Sequence, residues 1–460
     1  MAMNVIYESA SLVLVCAYGD SMDFGTYGLS RERPITQHHV ETAGLRITNP
    51  VREIAEDPLS LWQTRGWTYQ EAVCAKELLH FSNTRAYYEC QTSTYYENMY
   101  NLETEINEFS AYGLRLQHED TAFGTFARHL ANYLSRTLSF SSDAYSAFVG
   151  IANLLYGYSY VQNFCWGLPR VDFDRALRWY AWDGKNPLNR VEIQLKNMTV
   201  VFPTWSWASA MVHEEQVRYQ KTAFYGALVL WSAKFVFTEL WELVSVGTNT
   251  KVDDDWEIYM ALADREGSFQ GCLIPESSKL TNFSAVRDKF RGCWANCRDF
   301  CGDAFQRTRI HEELEKQYLY SNATRLGFLL TVAQASHFRV SERLSHYGLR
   351  IVDLDDNIAG QLCGEVTRFR DDISSGLIKD GLYEFVAISL SGLHIYPYTG
   401  KERTTKNYVD EMGATLDTLP VVNVLLIERK DDLAYRKELG WVYLQDWAKA
   451  NRRWEPVVLG

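Results

Sequence analysis

The chain has 460 residues, enough for two or three domains, and its 47% hydrophobic and 14% aromatic content is typical of a folded protein. Its formal net charge of -12 argues against the clustered basic surface that nucleic-acid binding requires, and against attachment to an anionic membrane. No run approaches the roughly 20 apolar residues that span a bilayer, and the nine cysteines are scattered as in reduced intracellular proteins. We therefore expect a cytoplasmic protein with no membrane span and no nucleic-acid partner.

The first residues predict a helix followed by a buried strand. Met3, Ile6, Tyr7 and Ala10 recur at helical spacing, which indicates an amphipathic helix. Residues 12–17 are continuously apolar, the pattern of a strand buried on both faces of a parallel sheet. Too little sequence precedes this strand to supply a neighbour through a crossover unit. Either later strands supply its neighbours, or the chain lacks upstream sequence that did so; we favour the second explanation.

The most distinctive segment is Arg65-Gly66-Trp67-Thr68-Tyr69-Gln70-Glu71, where a helix is expected to begin at Gly66. A hairpin should follow, with strands at 78–81 and 86–90. Glu71 has two interpretations. Beside aromatic side chains it can serve as a general acid or base, or Arg65 or a backbone amide pairs with it and anchors the helix. We favour the structural interpretation.

The remaining pattern is helical in the middle of the chain and β-rich towards its end. Helices are predicted at 95–117, at 121–136, from an N-cap at Asp143 to 155, and from an N-cap at Asp172 to 182. Strands are predicted at 45–48, 202–209, 227–237, 256–263, 326–332, 349–354, 361–367, 384–390, 422–428 and within 439–450. In the strand-like segment 202–209, Trp205 and Trp207 should share one face.

The candidate metal ligands have a spacing that is less specific than that of known metal sites. Cys293, Cys297 and Cys301, with His311 beyond them, place three thiols on one helical stripe. Structural zinc sites use tighter cysteine pairs in turns, so this stripe is more typical of small buried apolar residues. The aspartates 253–255 lack the alternating ligands of a calcium loop. Phosphate-binding and dinucleotide-binding motifs do not occur, so we expect no metal and no cofactor.

The segment 65–71, followed by the strand at 78–81, resembles the last signature block of the fungal heterokaryon-incompatibility (HET) domain, R-G-W-x-x-Q-E. The residues that carry this resemblance are Arg65, Gly66, Trp67, Gln70 and Glu71. Four further stretches resemble other parts of these proteins: 3–10, 143–151 with 166–169, 203–208 with its Trp205 and Trp207, and 439–447. The family's first two blocks are absent, so we expect an N-terminally shortened member.

The resemblance implies an α+β protein in three regions. These are a partial TIR-like α/β HET domain at 1–95, a helical region at 96–215 that ends in the Trp-Ser-Trp element, and a β-rich region at 216–460. It also implies a role in fungal non-self recognition and programmed cell death, through protein partners of unknown identity.

Two other functions stay open. HET domains are similar to TIR domains, some of which cleave NAD at a catalytic glutamate, but that role is not carried onto Glu71 because the two motifs cannot be aligned. A TIR-like enzyme that cleaves NAD is therefore one alternative to non-enzymatic signalling, and a non-functional fragment of a HET protein is another.

Overall fold

The structure is a computed structural model, and the chain divides in it into two compact units, Met1–Tyr160 and Val161–Gly460. The residues that the structure describes are 3–34, 39–48, 60–90, 93–97, 122–157, 163–181, 191–195, 198–212, 217–220, 223–229, 231–234, 241–243, 327–345, 348–364, 381–394, 418–431, 433–443, 446–447 and 450–460. Helices and strands both contribute, so the protein is α+β. The boundary between the units falls inside 96–215; the division at 95 and 215 stays a prediction.

The first unit combines short helices with a small sheet. Its helices are α1 (Met3–Ser9), α2 (Leu61–Thr64), α3 (Gly66–Cys74), α4 (Ala122–Leu134) and α5 (Ser146–Tyr156), with 3₁₀ turns at Met22–Phe24 and Ser141–Asp143. Its strands are β1 (Val13–Cys16), β2 (His39–Thr42), β3 (Leu45–Thr48), β4 (Leu78–Phe81), β5 (Ala86–Glu89) and β6 (Thr94–Tyr96). The sheet order is β1-β4-β5-β6. Only the β1–β4 pairing is parallel within this sheet.

Helices α2 and α3 cover one face of that sheet. Trp62, Ala72 and Ala75 pack against Val15 and Leu78 in a buried apolar cluster. This arrangement follows from alternation, because only every second residue of β1 and β4 points towards the helices.

The predicted burial of β1 on both faces is wrong, although its parallel pairing is correct. Val15 is 1% exposed, whereas Leu14 is 61% exposed. Among the described residues β1 pairs with β4 alone, so it is an edge strand of this sheet.

Several local predictions for the first unit are confirmed: the opening helix, the helix that begins at Gly66, the hairpin of β4 and β5, the strand β3 and the helix α4. Two are wrong. Tyr95 and Tyr96 lie in β6 rather than in a helix, because β6 pairs with β5 and Tyr95 contacts Tyr88. Asp143 ends a 3₁₀ turn and does not cap α5, which begins at Ser146. The remainder of the helix predicted at 95–117, from residue 98 onwards, lies outside the described residues.

The second unit is dominated by β-structure. Its short N-terminal elements are β7 (Phe164–Cys165), β8 (Leu168–Pro169), a 3₁₀ turn (Arg170–Asp172), α6 (Phe173–Ala176), β9 (Trp179–Ala181), β10 (Val191–Leu195), β11 (Met198–Phe202), α7 (Trp207–Val212) and β12 (Val217–Tyr219). The strands of the main sheet are β13 (Ala223–Ala227), β14 (Ser232–Lys234), β15 (Trp241–Leu243), β16 (Leu329–Ser345), β17 (Gly348–Val352), β18 (Ile358–Leu362), β19 (Leu382–His394), β20 (Thr418–Lys430), β21 (Leu433–Tyr443) and β22 (Arg453–Leu459).

Six of these strands form a closed ring in the order β16-β17-β18-β21-β20-β19. The ring closes because β16 pairs with both β17 and β19. Alternate side chains fill its core, among them Phe338, Phe385, Val424 and Leu426. Trp447 stacks on Phe338 with 5.8 Å between ring centroids.

Two predictions for the second unit are wrong. The segment 202–209 was predicted to be a strand that contains both tryptophans. In the structure β11 ends at Phe202, Trp205 lies in a turn and α7 begins at Trp207. Ser206 causes this change, because its Oγ accepts a hydrogen bond from the Ala208 amide, 3.2 Å away, in the manner of an N-cap. The helix predicted at 172–182 ends at Ala176, because Trp179–Ala181 pairs with β12 instead.

Strands overlap the predictions at 227–237, 326–332, 349–354, 361–367, 384–390, 422–428 and 439–450, and β22 was not predicted. The predicted strand 256–263, the aspartates 253–255, the cysteines 293, 297 and 301, and His311 lie outside the described residues. Within the described part of the chain, no helix has both the length and the apolar character needed to cross a membrane.

Candidate functional site

The first residue of the motif helix α3, Gly66, lies against the segment that follows α4. The Gly66 amide donates to the carbonyl of Thr137 at 2.7 Å. A β-carbon at position 66 would lie 2.6 Å from Cδ2 of Leu138. Glycine therefore allows this contact, which fixes the start of α3 against the end of α4.

The carboxylate of Glu71 joins three helices. Its Oε1 accepts a hydrogen bond from Tyr7 Oη on α1 at 3.0 Å, and its Oε2 accepts one from Trp62 Nε1 on α2 at 2.9 Å. Burial and the neighbouring Glu71 carboxylate raise the pKa of Tyr7, so its phenol stays protonated and keeps donating. Glu71 thus serves as a hydrogen-bond acceptor that fixes α1 and α2 to α3.

Arg65 is not the partner of Glu71, and the predicted pairing of the two is wrong. The Arg65 side chain is exposed. Its carbonyl instead accepts hydrogen bonds from Thr68 Oγ1 at 2.7 Å and from Arg136 Nη1 at 3.3 Å. Arg65 contributes main-chain contacts at the junction of α2 and α3.

Two further residues of α3 are tied to the segment that leads into α5. Trp67 Nε1 donates to Asp143 Oδ2 at 3.1 Å, and Gln70 Nε2 donates to the Ser146 carbonyl at 2.9 Å. Gly150 of α5 lies against Gln70, since a β-carbon there would be 2.7 Å from Gln70 Oε1. Every residue of the R-G-W-x-x-Q-E pattern therefore makes a contact that holds the first unit together.

A buried cation in the segment just after α4 supports α3. Arg136 is 7% exposed, and its guanidinium lies 4.7 Å from the centre of the Tyr69 ring. Burial lowers the pKa of Arg136 to about 10, although Tyr69 and Glu71 oppose that shift. The hydroxyl of Tyr69 contacts His129 Nδ1 at 2.9 Å. Arg136 remains charged at neutral pH and stabilises the aromatic face of α3.

A buried histidine–glutamate pair lies in the core under α2. His80 Nε2 and Glu89 Oε2 are 3.1 Å apart, and both side chains are 2% exposed. The His80 ring stacks on Tyr87 with centroids 4.3 Å apart, and the Trp62 ring meets it edge-on at 5.7 Å. A carboxylate that orients an imidazole is a common catalytic arrangement, but in this conformation the pair is closed to a substrate.

The Trp-Ser-Trp element organises the second unit. Trp207 Nε1 donates to the Gly167 carbonyl and Ser206 Oγ donates to the Trp166 carbonyl, both at 2.8 Å. Trp205 Nε1 donates to the Gly327 carbonyl at 3.1 Å. Both tryptophans are fully buried, so they act as anchors and are inaccessible to a ligand.

The contacts of this element extend to β21 and to Gly460. The Arg436 amide donates to Thr204 Oγ1 at 3.0 Å, and Thr204 hydrogen-bonds the carbonyl of Gly460 through both its amide and its hydroxyl. Arg436 is buried, places its guanidinium 4.0 Å from the Trp179 ring centre and donates to the carbonyls of Leu177 and Trp179.

The sequence did not predict several of these partners, namely Trp62, Asp143 as an acceptor, His129, Arg136 and Arg436. Tyr7 was predicted only as part of a helix. No local pattern identifies them: Trp62 bonds Glu71 nine residues away, and the other four contact residues at least 60 positions away. Over the described residues, no group of three or more His, Cys, Asp and Glu side chains is arranged to hold a metal ion.

Comparison of the chain with protein-family models, with curated proteins and with solved structures yields no match.

Proposed function

We propose that this chain is a HET-type protein that acts in fungal non-self recognition and in the programmed cell death that follows fusion of incompatible cells. The observation that supports this proposal is that separate stretches resembling the family contact one another in the fold. Tyr7 bonds Glu71, 64 residues away, and Trp67 bonds Asp143, 76 residues away. If these three stretches resembled the family only by chance, we would not expect them to contact one another in the fold.

The second unit offers the same kind of support. The stretch 166–169 meets the stretch 203–208 through Ser206 and Trp207, which bond the carbonyls of Trp166 and Gly167. Both stretches resemble parts of HET proteins that follow the signature block.

The TIR-like character of the first unit belongs to this proposal. Strands β1 and β4 are parallel and are connected through α2 and α3, which cover one face of the sheet. Such a β-α-β unit is the building block of α/β folds. The antiparallel strands β5 and β6 then extend the sheet on the far side of β4.

We further propose that the activity is signalling through cytoplasmic protein partners, without catalysis and without a cofactor. Both oxygens of Glu71 already accept hydrogen bonds, from Tyr7 and Trp62. A general acid or base has to reach a substrate proton, whereas this carboxylate is occupied in holding helices together.

Inducible expression in a fungus that lacks the protein tests the signalling role. The wild-type chain should reduce colony viability, and Trp67→Ala should relieve the killing because it detaches α3 from Asp143. Lys76→Ala, at an exposed position just after α3, is the matched control and should kill like wild type. Immunoblotting verifies equal protein levels. Unchanged viability with the wild-type chain would overturn the proposal and favour a non-functional fragment.

Incubation of the purified full chain with NAD tests the absence of catalysis. We expect no release of nicotinamide above the rate without protein. Turnover that Glu71→Gln abolishes would overturn the non-enzymatic proposal and establish the NAD-cleaving alternative.

A further inference from the structure

The hairpin of β2 and β3 presents apolar side chains to solvent. Val40 is 64% exposed, Leu45 is 65% exposed and Ile47 is 57% exposed. Val40 lies opposite Ile47 in the register, and Leu45 points to the same side because it lies two residues before Ile47. Among the described residues, neither strand pairs with a strand outside the hairpin. A two-stranded hairpin by itself is marginally stable in water, whereas a sheet of three or more strands with an apolar face can be stable.

The turn of the hairpin determines which backbone groups of β2 face away from β3. Residues 43–44 form a two-residue loop and both have positive φ, as in a type I′ turn. The residues that flank such a turn form a hydrogen-bonded pair, and hydrogen-bonded pairs alternate along the two strands. The backbone N–H and C=O groups of Thr42 and Val40 are therefore directed at β3. Those of Glu41 and His39 are directed at the other edge of β2.

The charges on that edge favour one way of pairing it with a copy of itself. Two antiparallel copies align their outward backbone groups when the two-fold axis lies at His39, Val40 or Glu41. An axis at Glu41 or at His39 places two like side chains directly opposite each other, and opposed carboxylates are destabilising. An axis at Val40 places each Glu41 opposite His39 of the second copy. The edge is therefore complementary to itself in charge and in hydrogen bonding.

We propose that two copies of this chain pair through the edge of β2, antiparallel and with the two-fold axis at Val40. The two hairpins then form one four-stranded sheet in the order β3-β2-β2-β3, which exceeds the minimum for a stable sheet. Val40 meets Val40 of the second copy at the axis, and Ile47 extends this apolar row on each side. The pairing is a self-association that does not depend on the signalling role.

Disulfide trapping tests the position of the axis. Opposed Cα atoms of a non-hydrogen-bonded antiparallel pair lie about 4.5 Å apart, a distance that a disulfide can bridge. Val40→Cys in the full chain should therefore give a disulfide-linked dimer under mild oxidation, in excess of any that the native cysteines give in the wild type. Ile47→Cys is the matched control. It is similarly exposed, but the two copies of β3 would lie about 14 Å apart in the proposed sheet, three strand spacings, and should not be linked.

Two results of the trapping experiment would overturn the proposal. One is the absence of a linked dimer for Val40→Cys above the wild-type background. The other is equal linkage of Val40→Cys and Ile47→Cys, because the hairpins would then meet through their apolar faces or by random collision.

Sedimentation equilibrium of the full chain, from micromolar to millimolar concentration, tests the charge complementarity. The strand β2 has four residues, so the contact is smaller than a standard interface and we expect a weak dimer that increases with concentration. Glu41→Lys places a cation opposite His39 of the second copy and should lower the association constant about tenfold. The double variant His39→Glu with Glu41→Lys exchanges the two kinds of side chain and should restore association. A wild-type chain that stays monomeric throughout, or a folded double variant as weak as Glu41→Lys, would contradict the proposed pairing.

Discussion

The indole Nε1 of Trp67 lies 3.1 Å from Oδ2 of Asp143, although 76 residues separate them in the chain. This hydrogen bond has a charged acceptor and is partly exposed. Hydrogen bonds to charged groups contribute about 1.5–3 kcal/mol when buried, and solvent reduces that value at this position. We therefore expect Trp67→Phe to lower the free energy of unfolding by about 1 kcal/mol in urea titrations monitored by circular dichroism.

A double-mutant cycle isolates this interaction. Trp67→Phe and Asp143→Ala should show a coupling energy of about 1 kcal/mol, because either change alone removes the same hydrogen bond. Asp143→Asn retains an acceptor oxygen and should cost less than Asp143→Ala. Strict additivity of the two single changes would contradict this role of Asp143.

The bond between Tyr7 and Glu71 predicts a change of stability in alkaline solution. Burial, followed by the Glu71 carboxylate, raises the pKa of Tyr7 above its usual value of about 10. The unfolded chain then loses the phenolic proton first. The contribution of Tyr7 is fully present below pH 10 and is lost as the pH rises further. Tyr7→Phe should make the fall in the urea midpoint above about pH 10 shallower.

The matched control for this prediction is Tyr95→Phe in β6, since Tyr95 is 51% exposed. Its urea midpoints should follow the wild-type alkaline profile. If Tyr7→Phe also followed that profile, the bond to Glu71 would contribute nothing to alkaline stability.

The local sequence pattern was sufficient to predict those helices and strands for which several sequence signals agree. Gly66 starts α3, and the turn residues 82–84 separate β4 from β5, as the apolar spacing and turn chemistry indicate. The coarse α+β class followed from the same signals. These elements are defined by residues within a few positions of each other, so a single sequence contains the information.

Long-range pairing was not predictable in the same way. Asp143 reads as an N-cap, but its carboxylate bonds Trp67 instead. Glu71 reads as a partner of Arg65 or of a backbone amide, but its carboxylate accepts hydrogen bonds from Tyr7 and Trp62. Each local alternative is worth about 1 kcal/mol or less, so tertiary contacts that bury an indole or a phenol decide the outcome.

The contact between Gly167 and Trp207 predicts an unusually costly glycine substitution. Gly167 has φ +84°, and a β-carbon there would lie 2.8 Å from the Trp207 ring. Trp207 is held by its hydrogen bond to the Gly167 carbonyl, so the ring has no easy way to move. Gly167→Ala should lower the free energy of unfolding by more than about 2 kcal/mol, from backbone strain and overpacking together.

Gly381→Ala separates these two causes. Gly381 also has positive φ, at +62°, but a β-carbon there would meet no atom within 4 Å. Its substitution should cost only the backbone strain, about 1–2 kcal/mol. Equal losses in the two variants would show that the Trp207 contact adds nothing.

Arg429 on β20 bonds two carboxylates whose pKa values are shifted in opposite directions. Its Nη2 donates to Glu384 Oε1 at 2.8 Å and to Glu455 Oε1 at 3.0 Å. Burial disfavours ionisation of Glu384, but hydrogen bonds from Arg429 and Glu455 outweigh it and lower the pKa of Glu384. Burial and then the hydrogen bond with Glu384 raise the pKa of Glu455. The two carboxylates therefore titrate as a coupled pair, in which Glu455 keeps its proton to a higher pH than Glu384 does.

The two glutamates should consequently give opposite pH profiles when each is replaced by glutamine. The contribution of Glu384 is present above its unfolded pKa of about 4.3 and is lost as the pH falls, so Glu384→Gln should weaken the acid-induced decline of the urea midpoint. The contribution of Glu455 is present below that value and is lost as the pH rises through its raised pKa. Glu455→Gln should therefore reduce the loss of stability that sets in as the pH rises above about 4.3. Asp355→Asn, in the exposed loop after β17, is the control and should run parallel to wild type; the same slope in all four proteins would contradict the shared proton.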